Sequence, residues 1–257
     1  MASRNAEQRT VIPRLFVDQP LGGGVEIVLP AGQTHYLRHV LRLDAGARVR
    51  LFNGQDGEWS AEIAQISKKS AVARAADQVR PQIAEPPLTL MFAPLKRGPI
   101  DYLAEKATEL GATCLQPVVT LRTTAQRVNV ERLTANVREA AEQCERLTVP
   151  HVLPARALDV VLDDWPAGQT VLFCDERGGT PLLQMLLGDN VLPTAILIGP
   201  EGGFDERERG WLNDRPSVRP VSLGPRILRA ETAAAAALAI WQAAAEIGDS
   251  PHFARQF

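Results

Sequence analysis

The 257-residue sequence has few of the residues on which small extracellular and metal-stabilised proteins depend. It contains only three cysteines, with no Cys-x-x-Cys pair among them. This number excludes a disulfide scaffold, and the spacing excludes a zinc ribbon. His35 and His39 have the spacing of two metal ligands on a helix, but no third ligand follows nearby, so we expect no metal site. Thiols that are few and odd in number are typical of a cytoplasmic protein.

Long apolar runs and a dominant charge are also absent. No run approaches the roughly 18–20 apolar residues that span a bilayer. Residues 1–14 lack the apolar core of a signal peptide, so we expect neither membrane insertion nor export. The 28 basic and 30 acidic residues leave a net charge of −2, which argues against a protein that binds nucleic acid through its overall charge alone. Hydrophobic residues make up 45% of the chain, enough for the core of one or two globular domains.

Residues 1–80 have the pattern of a β-rich domain. Strands are expected at 25–29, 48–52 and 59–66, where apolar residues alternate or run at strand length. Asn53-Gly54 predicts a turn between two of them, because both residues tolerate positive φ. The spacing of Leu37, Val40 and Leu41 predicts a helix over 34–43. Together these elements predict a short β-barrel with one helix.

Residues 81–87 contain three prolines and are interpreted as a linker. Strand and helix patterns then alternate over residues 88–257, which predicts an α/β domain around a mostly parallel sheet. Strands are expected at 88–94, 115–119, 171–174, 195–198 and 218–223. Helices are expected at 100–110, 130–146, 181–187, 205–212 and 231–247.

Three loops that contain glycine each follow one of these strands, at 174–179, 198–204 and 223–232. Ligands bind open α/β sheets at the carboxyl ends of the strands, so these loops predict a ligand site. The common nucleotide and hydrolase motifs are missing, because the chain has no G-x-x-x-x-G-K-[ST], no G-x-G-x-x-G and no G-x-S-x-G at these positions.

Two of the loops carry a family resemblance. Ile198-Gly-Pro-Glu-Gly-Gly-Phe204, followed by Leu223-Gly-Pro-Arg-Ile-Leu-Arg-Ala-Glu-Thr232, resembles the signature pair of the SPOUT methyltransferases. The chain is most similar to those that methylate uridine N3 in 16S ribosomal RNA. Shorter segments agree in order along the chain: Pro13-Arg-Leu-Phe16, His35-Tyr-Leu-Arg-His-Val-Leu-Arg42, Lys68-Lys69-Ser70 as the end of the barrel, Lys106-Ala-Thr-Glu-Leu-Gly111, and Glu142-Gln-Cys-Glu-Arg146 before Val149-Pro150.

The resemblance implies a PUA-like RNA-binding β-barrel over 1–80 and an α/β domain over 88–257 whose chain forms a trefoil knot. It also implies a homodimer that takes S-adenosyl-L-methionine as cofactor and 16S ribosomal RNA of the small subunit as substrate. Aliphatic side chains and exposed backbone groups in the loops suit an adenosine. The expected cofactor-binding residues are Leu172, Gly178, Ile198, Gly199, Glu201, Gly202, Gly203, Leu223, Gly224, Ile227, Leu228, Arg229 and Thr232.

Methyl transfer to uridine requires that N3 lose its proton and align with the methyl group. Arg229 is the candidate for stabilising the resulting negative charge. Glu201 or Glu231 is the candidate for accepting the proton, or for orienting the base or the cofactor. Phosphates of the RNA are expected to meet a set of basic residues: Arg14, Arg38, Arg42, Lys68, Lys69, Lys96 and Arg97. Arg38 and Arg42, four positions apart, are expected on one helix face.

Two other interpretations stay open at this point. One is a related knotted methyltransferase that acts on another ribosomal or transfer RNA position, or on a ribose 2′-hydroxyl. The other is a non-catalytic RNA-binding factor of ribosome assembly. The intact glycine-rich loops disfavour the second interpretation, because a protein without catalysis has no need of a cofactor slot.

Overall fold

The computed structural model describes residues 12–124, 127–188 and 195–247. The chain divides into two compact units, Met1–Ile83 and Ala84–Phe257. In the described ranges, no helix is both long and apolar enough to cross a bilayer.

The first unit is built on a five-stranded sheet. Its elements are β1 (Arg14–Phe16), β2 (Glu26–Leu29), α1 (Ala31–His35), β3 (Arg48–Phe52), β4 (Glu58–Ile66) and β5 (Ala71–Arg80), with a π-helical turn at Tyr36–Val40 after α1. The strand order is β1-β3-β4-β5-β2. β1 runs parallel to β3, and the other pairs are antiparallel. Alternate residues of the strands face a core that also includes Leu37 of the π-helical turn.

The structure corrects three expectations in this unit. The longest strand, β5, was not expected, because its inward positions are Ala71, Ala73 and Ala75, which have low strand propensity. Lys68-Lys69-Ser70 is not the end of the sheet but the turn between β4 and β5, where the Ser70 N–H donates to Ser67 Oγ. Arg42 follows the helical segment with a left-handed φ of 56°, so it does not share a helix face with Arg38.

The second unit alternates strands and helices as the sequence predicts. Its strands are β6 (Thr89–Phe92), β7 (Cys114–Val119), β8 (His151–Val152), β9 (Arg156–Ala157), β10 (Val171–Cys174), β11 (Thr180–Pro181), β12 (Ala195–Ile198) and β13 (Val218–Ser222). Its helices are α2 (Arg97–Glu109), α3 (Val130–Gln143), α4 (Leu158–Asp163), α5 (Leu182–Gly188), α6 (Glu206–Asn213) and α7 (Ala230–Ile247). The short elements β8, β9, β11 and α4 have no counterpart among the predicted ones.

Every strand pairing described in the second unit is parallel, which confirms the predicted sheet type. The order is β11-β13-β10-β12-β6-β7-β8, and β9 also pairs with β7. Both faces of the sheet are covered. One cluster packs α2, α3, α5 and α7 against it, and another packs α4 and α6. This covering explains why the central strand β12 is buried at all four positions.

The strand order decides where the predicted loops meet. β10 lies between β12 and β13. Carboxyl ends of parallel strands lie at one edge of the sheet, so the loops that follow β10, β12 and β13 are neighbours there, although the first begins at residue 174 and the last at residue 223.

Candidate active site

A cavity of about 270 Å³ opens at this edge of the second sheet. Its size is near the lower end of the roughly 300–1,000 Å³ that small-molecule sites span. All three loops contribute to its wall. The lining residues are Cys174, Asp175 and Glu176 after β10; Gly199, Pro200, Glu201 and Gly203 after β12; and Leu223, Gly224, Arg226, Ile227, Leu228, Arg229, Ala230 and Ala233 around the end of β13 and the start of α7.

Two positions of the cavity wall favour glycine, the first through close packing and the second through its positive φ. A Cβ on Gly199 would lie 2.4 Å from the ring of Phe204. That ring is buried and meets Phe173 edge to face at 4.8 Å, so it has no room to move. Gly203 has a φ of 69°, and a Cβ there would lie 2.6 Å from Glu176 Oε1. At Gly199 and Gly203, backbone atoms without a side chain therefore border the cavity directly.

The charges at the cavity are mixed. Asp175, Glu176 and Glu201 face it together with Arg226 and Arg229. The exposed guanidinium groups suit an anion, whereas the carboxylates suit hydroxyl or ammonium groups. Burial raises the pKa of the Cys174 thiol to about 12, so this cavity residue stays protonated and does not act as a nucleophile.

Eight of the predicted cofactor residues line the cavity: Gly199, Glu201, Gly203, Leu223, Gly224, Ile227, Leu228 and Arg229. Leu172 and Ile198 instead pack their side chains into the core behind it, with 2% of each exposed. Gly178 and Gly202 lie in two of the loops, and Thr232 lies in the first turn of α7, but none of the three lines the cavity.

The two candidate proton acceptors differ in position. Glu201 is exposed and lines the cavity, whereas Glu231 is half-buried in the first turn of α7 and lies outside the lining. A carboxylate in a first helical turn stabilises the positive end of the helix dipole. Glu231 therefore lies where a carboxylate favours the start of α7.

The predicted RNA-binding residues fall into two groups. Lys96 and Arg97 are exposed at the start of α2 in the second unit. In the first unit, Lys68, Lys69 and Arg42 are exposed and Arg38 is half-buried. Arg14 differs from all of them. Its side chain is 8% exposed, pairs with buried Glu58 and lies over the Phe52 ring, with 3.8 Å between Cζ and the ring centroid. This environment argues against a contact between Arg14 and phosphate.

A polar cluster behind the cavity was not expected from the sequence. Arg209 of α6 pairs with Asp175 and with Glu176. The adjacent Glu208 accepts the Leu121 N–H through Oε1 at 3.1 Å, and burial raises the pKa of its carboxyl group. The partners lie 33 to 87 residues apart in the sequence, so no local pattern could have indicated them.

Arg122 is a third residue that the sequence did not single out. It lies in the turn after β7, and its guanidinium donates to the Gly202 carbonyl at 3.1 Å and to Asp205 at 3.3 Å. Asp205 is also the N-cap of α6, where its side chain accepts the Arg207 N–H. The start of α6 is thereby tied to the glycine-rich loop and to the turn after β7.

Comparison with known proteins agrees with both units. The family model for an RNA methyltransferase domain matches residues 84–242, and the model for an RNA methyltransferase PUA domain matches residues 29–75. Ribosomal RNA small subunit methyltransferase E of Rickettsia conorii is 34% identical over 88% of this chain and 93% of its own. The protein of the same name from Synechocystis is 36% identical over 83% of this chain and 71% of its own.

A solved structure also resembles the chain over nearly its whole length. It is a ribosomal RNA small subunit methyltransferase E from Neisseria gonorrhoeae bound to S-adenosyl methionine, and it is 30% identical. The similarity covers 90% of this chain and 97% of that chain, with a TM-score of 0.79. The chain belongs to the ribosomal RNA small subunit methyltransferase E family.

Proposed function

We propose that the protein transfers a methyl group from S-adenosyl-L-methionine to N3 of a uridine in 16S ribosomal RNA of the small subunit. The observation that carries this proposal is the cavity at the carboxyl edge of the second sheet, where the three glycine-containing loops meet. The family relatives named for small-subunit ribosomal RNA methylation support the substrate. The Neisseria protein with bound S-adenosyl methionine supports the cofactor.

The residues at the cavity fit this cofactor. Leu223, Ile227 and Leu228 supply apolar surface for an adenine ring, and Gly199 and Gly203 bring backbone groups within reach of it. Carboxylates in the wall suit the ribose hydroxyls and the ammonium group. Gly178, Gly202 and Thr232 border the same loops, and Leu172 and Ile198 support them from the core. S-adenosyl-L-methionine supplies a methyl group on a positively charged sulfur.

Arg229 and Glu201 are the groups we propose for the chemistry on the uridine. Both line the cavity, and both are exposed to an incoming base. The Glu201 carboxylate accepts the proton of N3, and the Arg229 guanidinium stabilises the negative charge that spreads to the carbonyl oxygens. Glu231 acts through α7, as a charge at the helix start that orients the segment containing Arg229.

The target base has to leave its stack to enter the cavity, and basic side chains hold the RNA meanwhile. We propose Lys96 and Arg97 for the second unit, and Lys68, Lys69, Arg38 and Arg42 for the first. Most of these side chains are exposed. Arg14 is left out because its guanidinium pairs with Glu58 inside the sheet. Phosphate contacts of this kind make RNA binding weaken as the salt concentration rises.

We further propose that this chain has the domain boundaries, the knot and the dimer that the family resemblance implies. Residues 1–80 form a PUA-like barrel that binds RNA, 81–87 a linker, and 88–257 a SPOUT domain with a trefoil knot. A homodimer in the cytoplasm is the working form.

The test is methyl transfer from labelled S-adenosyl-L-methionine to unmodified small ribosomal subunits, with deproteinised 16S RNA in parallel. We expect label in the RNA, recovered by mass spectrometry as N3-methyluridine. A methylated ribose or another methylated base would replace the proposed target. If the protein binds the cofactor but labels neither the subunits nor the free 16S RNA, the proposed substrate is wrong. If it does not bind the cofactor, the proposed methyltransferase activity is wrong.

A further inference from the structure

Behind the cavity, α6 contributes one buried basic side chain that the mechanism above does not use. Arg209 has 7% of its side chain exposed. It reaches the loop after β10, where it pairs with the carboxylate of Asp175 and donates from Nη2 to Glu176 Oε1 at 2.5 Å. A guanidinium this deep in a protein needs its counter-charges, because an unpaired buried charge is costly.

The two carboxylates that Arg209 holds are themselves part of the cavity wall. Asp175 is almost fully buried and also accepts the Arg177 N–H at 2.9 Å. Glu176 keeps 35% of its side chain exposed, and its Oε1 lies close to Gly203. Two adjacent carboxylates repel each other unless a cation lies between them. Arg209 therefore fixes where the Glu176 carboxylate points.

We propose, on the basis of the proposed function, that Arg209 is a positioning residue for the cofactor. Its guanidinium fixes Glu176 at the cavity wall, and the Glu176 carboxylate accepts hydrogen bonds from the hydroxyl or ammonium groups of S-adenosyl-L-methionine. In dinucleotide-binding α/β folds, an Asp or Glu carboxylate likewise accepts a hydrogen bond from a ribose hydroxyl. Here the acceptor is positioned from behind by a helix that itself follows the glycine-rich loop.

The local geometry explains why the helix and not the loop fixes the carboxylate. Hydrogen bonds hold the backbone of the segment 175–179, as where the Gly178 N–H donates to the Asp175 carbonyl. In the described part of the chain, however, the hydrogen-bond partner of the Glu176 carboxylate is Arg209 of α6. A Cβ on Gly203 would displace Glu176 Oε1, so the glycine-rich loop leaves open the space in which the carboxylate and Arg209 meet. One arginine thus joins the loop after β10 to α6, the helix that follows the glycine-rich loop.

The experiment measures the Kd of S-adenosyl-L-methionine by calorimetry for the full chain and for Arg209→Met, Arg209→Lys and Glu176→Gln. We expect Arg209→Met and Glu176→Gln to weaken binding by about 10- to 100-fold, the loss of one charge-assisted hydrogen bond. Arg209→Lys keeps the charge and should recover part of the loss. In steady-state kinetics, KM for the cofactor should rise while kcat at saturation stays within about threefold.

The chain offers a matched control in the same two elements. Arg177 and Glu206 join the same loop to the same helix, but their side chains are 59% and 60% exposed. Glu206→Gln removes this pair and should leave the Kd unchanged. Combining Arg209→Met with Glu176→Gln should weaken binding no more than either single change, because both act on one contact.

Three outcomes separate this inference from the proposed function. If the unmodified protein does not bind S-adenosyl-L-methionine, the proposed function fails. If it binds and Arg209→Met and Glu176→Gln bind equally well, Arg209 only supports the fold and the inference is overturned. Should Arg209→Met not fold, Arg209→Lys and Glu176→Gln decide the question, since each keeps the size and polarity of the group it replaces.

Discussion

Each unit of the molecule contains a buried cluster in which several arginine and carboxylate side chains meet, and these two clusters are built in opposite ways. In the first unit, one carboxylate, Glu58, receives three arginines from three other strands. In the second, one arginine, Arg209, holds two carboxylates of a loop. The first cluster joins strands and so stabilises a sheet. The second joins a helix to the wall of the cavity.

The largest effect is expected from removing the carboxylate of the first cluster. Glu58 is 1% exposed, and Arg14 is 8% exposed beside it. Glu58→Ala removes the buried carboxylate that Arg14, Arg50 and Arg80 share, which should destabilise the first unit by about 3–5 kcal/mol. The measurement is hydrogen exchange of amides in β4 and β5, read by mass spectrometry. The Kd for S-adenosyl-L-methionine should stay unchanged, because the cavity lies in the other unit.

The control for Glu58 is the exposed pair of Glu26 and Arg74 in the same sheet. Their side chains are 53% and 61% exposed, so Glu26→Ala should cost less than about 1 kcal/mol. Burial alone would raise the pKa of Glu58, but hydrogen bonds and charge from Arg80 and Arg14 lower it below the ordinary 4.5. The stabilisation is therefore present above pH 4.5 and is lost as the pH falls through the lowered pKa. If the Glu58→Ala protein were as stable as the unmodified one, the cluster around Glu58 would not stabilise the sheet.

Arg229 belongs to neither cluster, so its removal should affect the reaction and not the stability of the fold. It is exposed at the cavity, so Arg229→Ala should lower kcat by about 10²–10³-fold, or roughly 3–4 kcal/mol in the transition state. The melting temperature and the cofactor Kd should change little. Arg207→Ala, an exposed arginine on α6 outside the cavity, is the control. Normal turnover in Arg229→Ala would contradict the role.

Gly199 tests whether the cavity wall is as closely packed as the geometry indicates. Its Cβ would meet the buried Phe204 ring at 2.4 Å, so Gly199→Ala should destabilise the second unit by about 1–3 kcal/mol and weaken cofactor binding. Gly210 in α6 has open space around it. Gly210→Ala should therefore stabilise the helix by roughly 1 kcal/mol. Thermal unfolding measures both, and equal shifts for the two variants would show that the Phe204 contact does not constrain the loop.

The smallest effect concerns Glu208, which neighbours Arg209 on α6. Burial raises the pKa of Glu208 above the ordinary 4.5. The folded protein therefore binds this proton more tightly than the unfolded chain, and stability falls as the pH rises from 4.5 through the raised value. Glu208→Gln keeps the acceptor for the Leu121 N–H and removes the charge. Above that window it should be more stable by about 1 kcal/mol, or roughly 2–4 °C in Tm.

The pH series for Glu208→Gln has to converge with the unmodified protein below pH 4.5, where both side chains are neutral. Equal stability of the two proteins at neutral pH would show that the carboxylate is well solvated. A less stable variant at neutral pH would show that the charge is needed by its neighbours, Arg122 among them.

Local sequence pattern predicts most of the second unit and the place of its cavity. The apolar runs of β6, β10 and β12 mark buried parallel strands, and their carboxyl ends then bring the glycine loops together. Strand β5 escaped prediction because alanines fill its inward positions. Arg209 and Glu208 look like ordinary surface charges in the sequence, and only the packing of α6 against distant loops shows that both are buried and paired with residues far away in the chain.

The central claim is that the cavity at the carboxyl edge of the second sheet holds S-adenosyl-L-methionine. The most direct test is a crystal structure of the full chain with this cofactor bound. The account predicts the adenosine between the loop 199–203 and the segment 223–228, with the Glu176 carboxylate within hydrogen-bond distance of the cofactor. A cofactor bound anywhere else on the chain would contradict it.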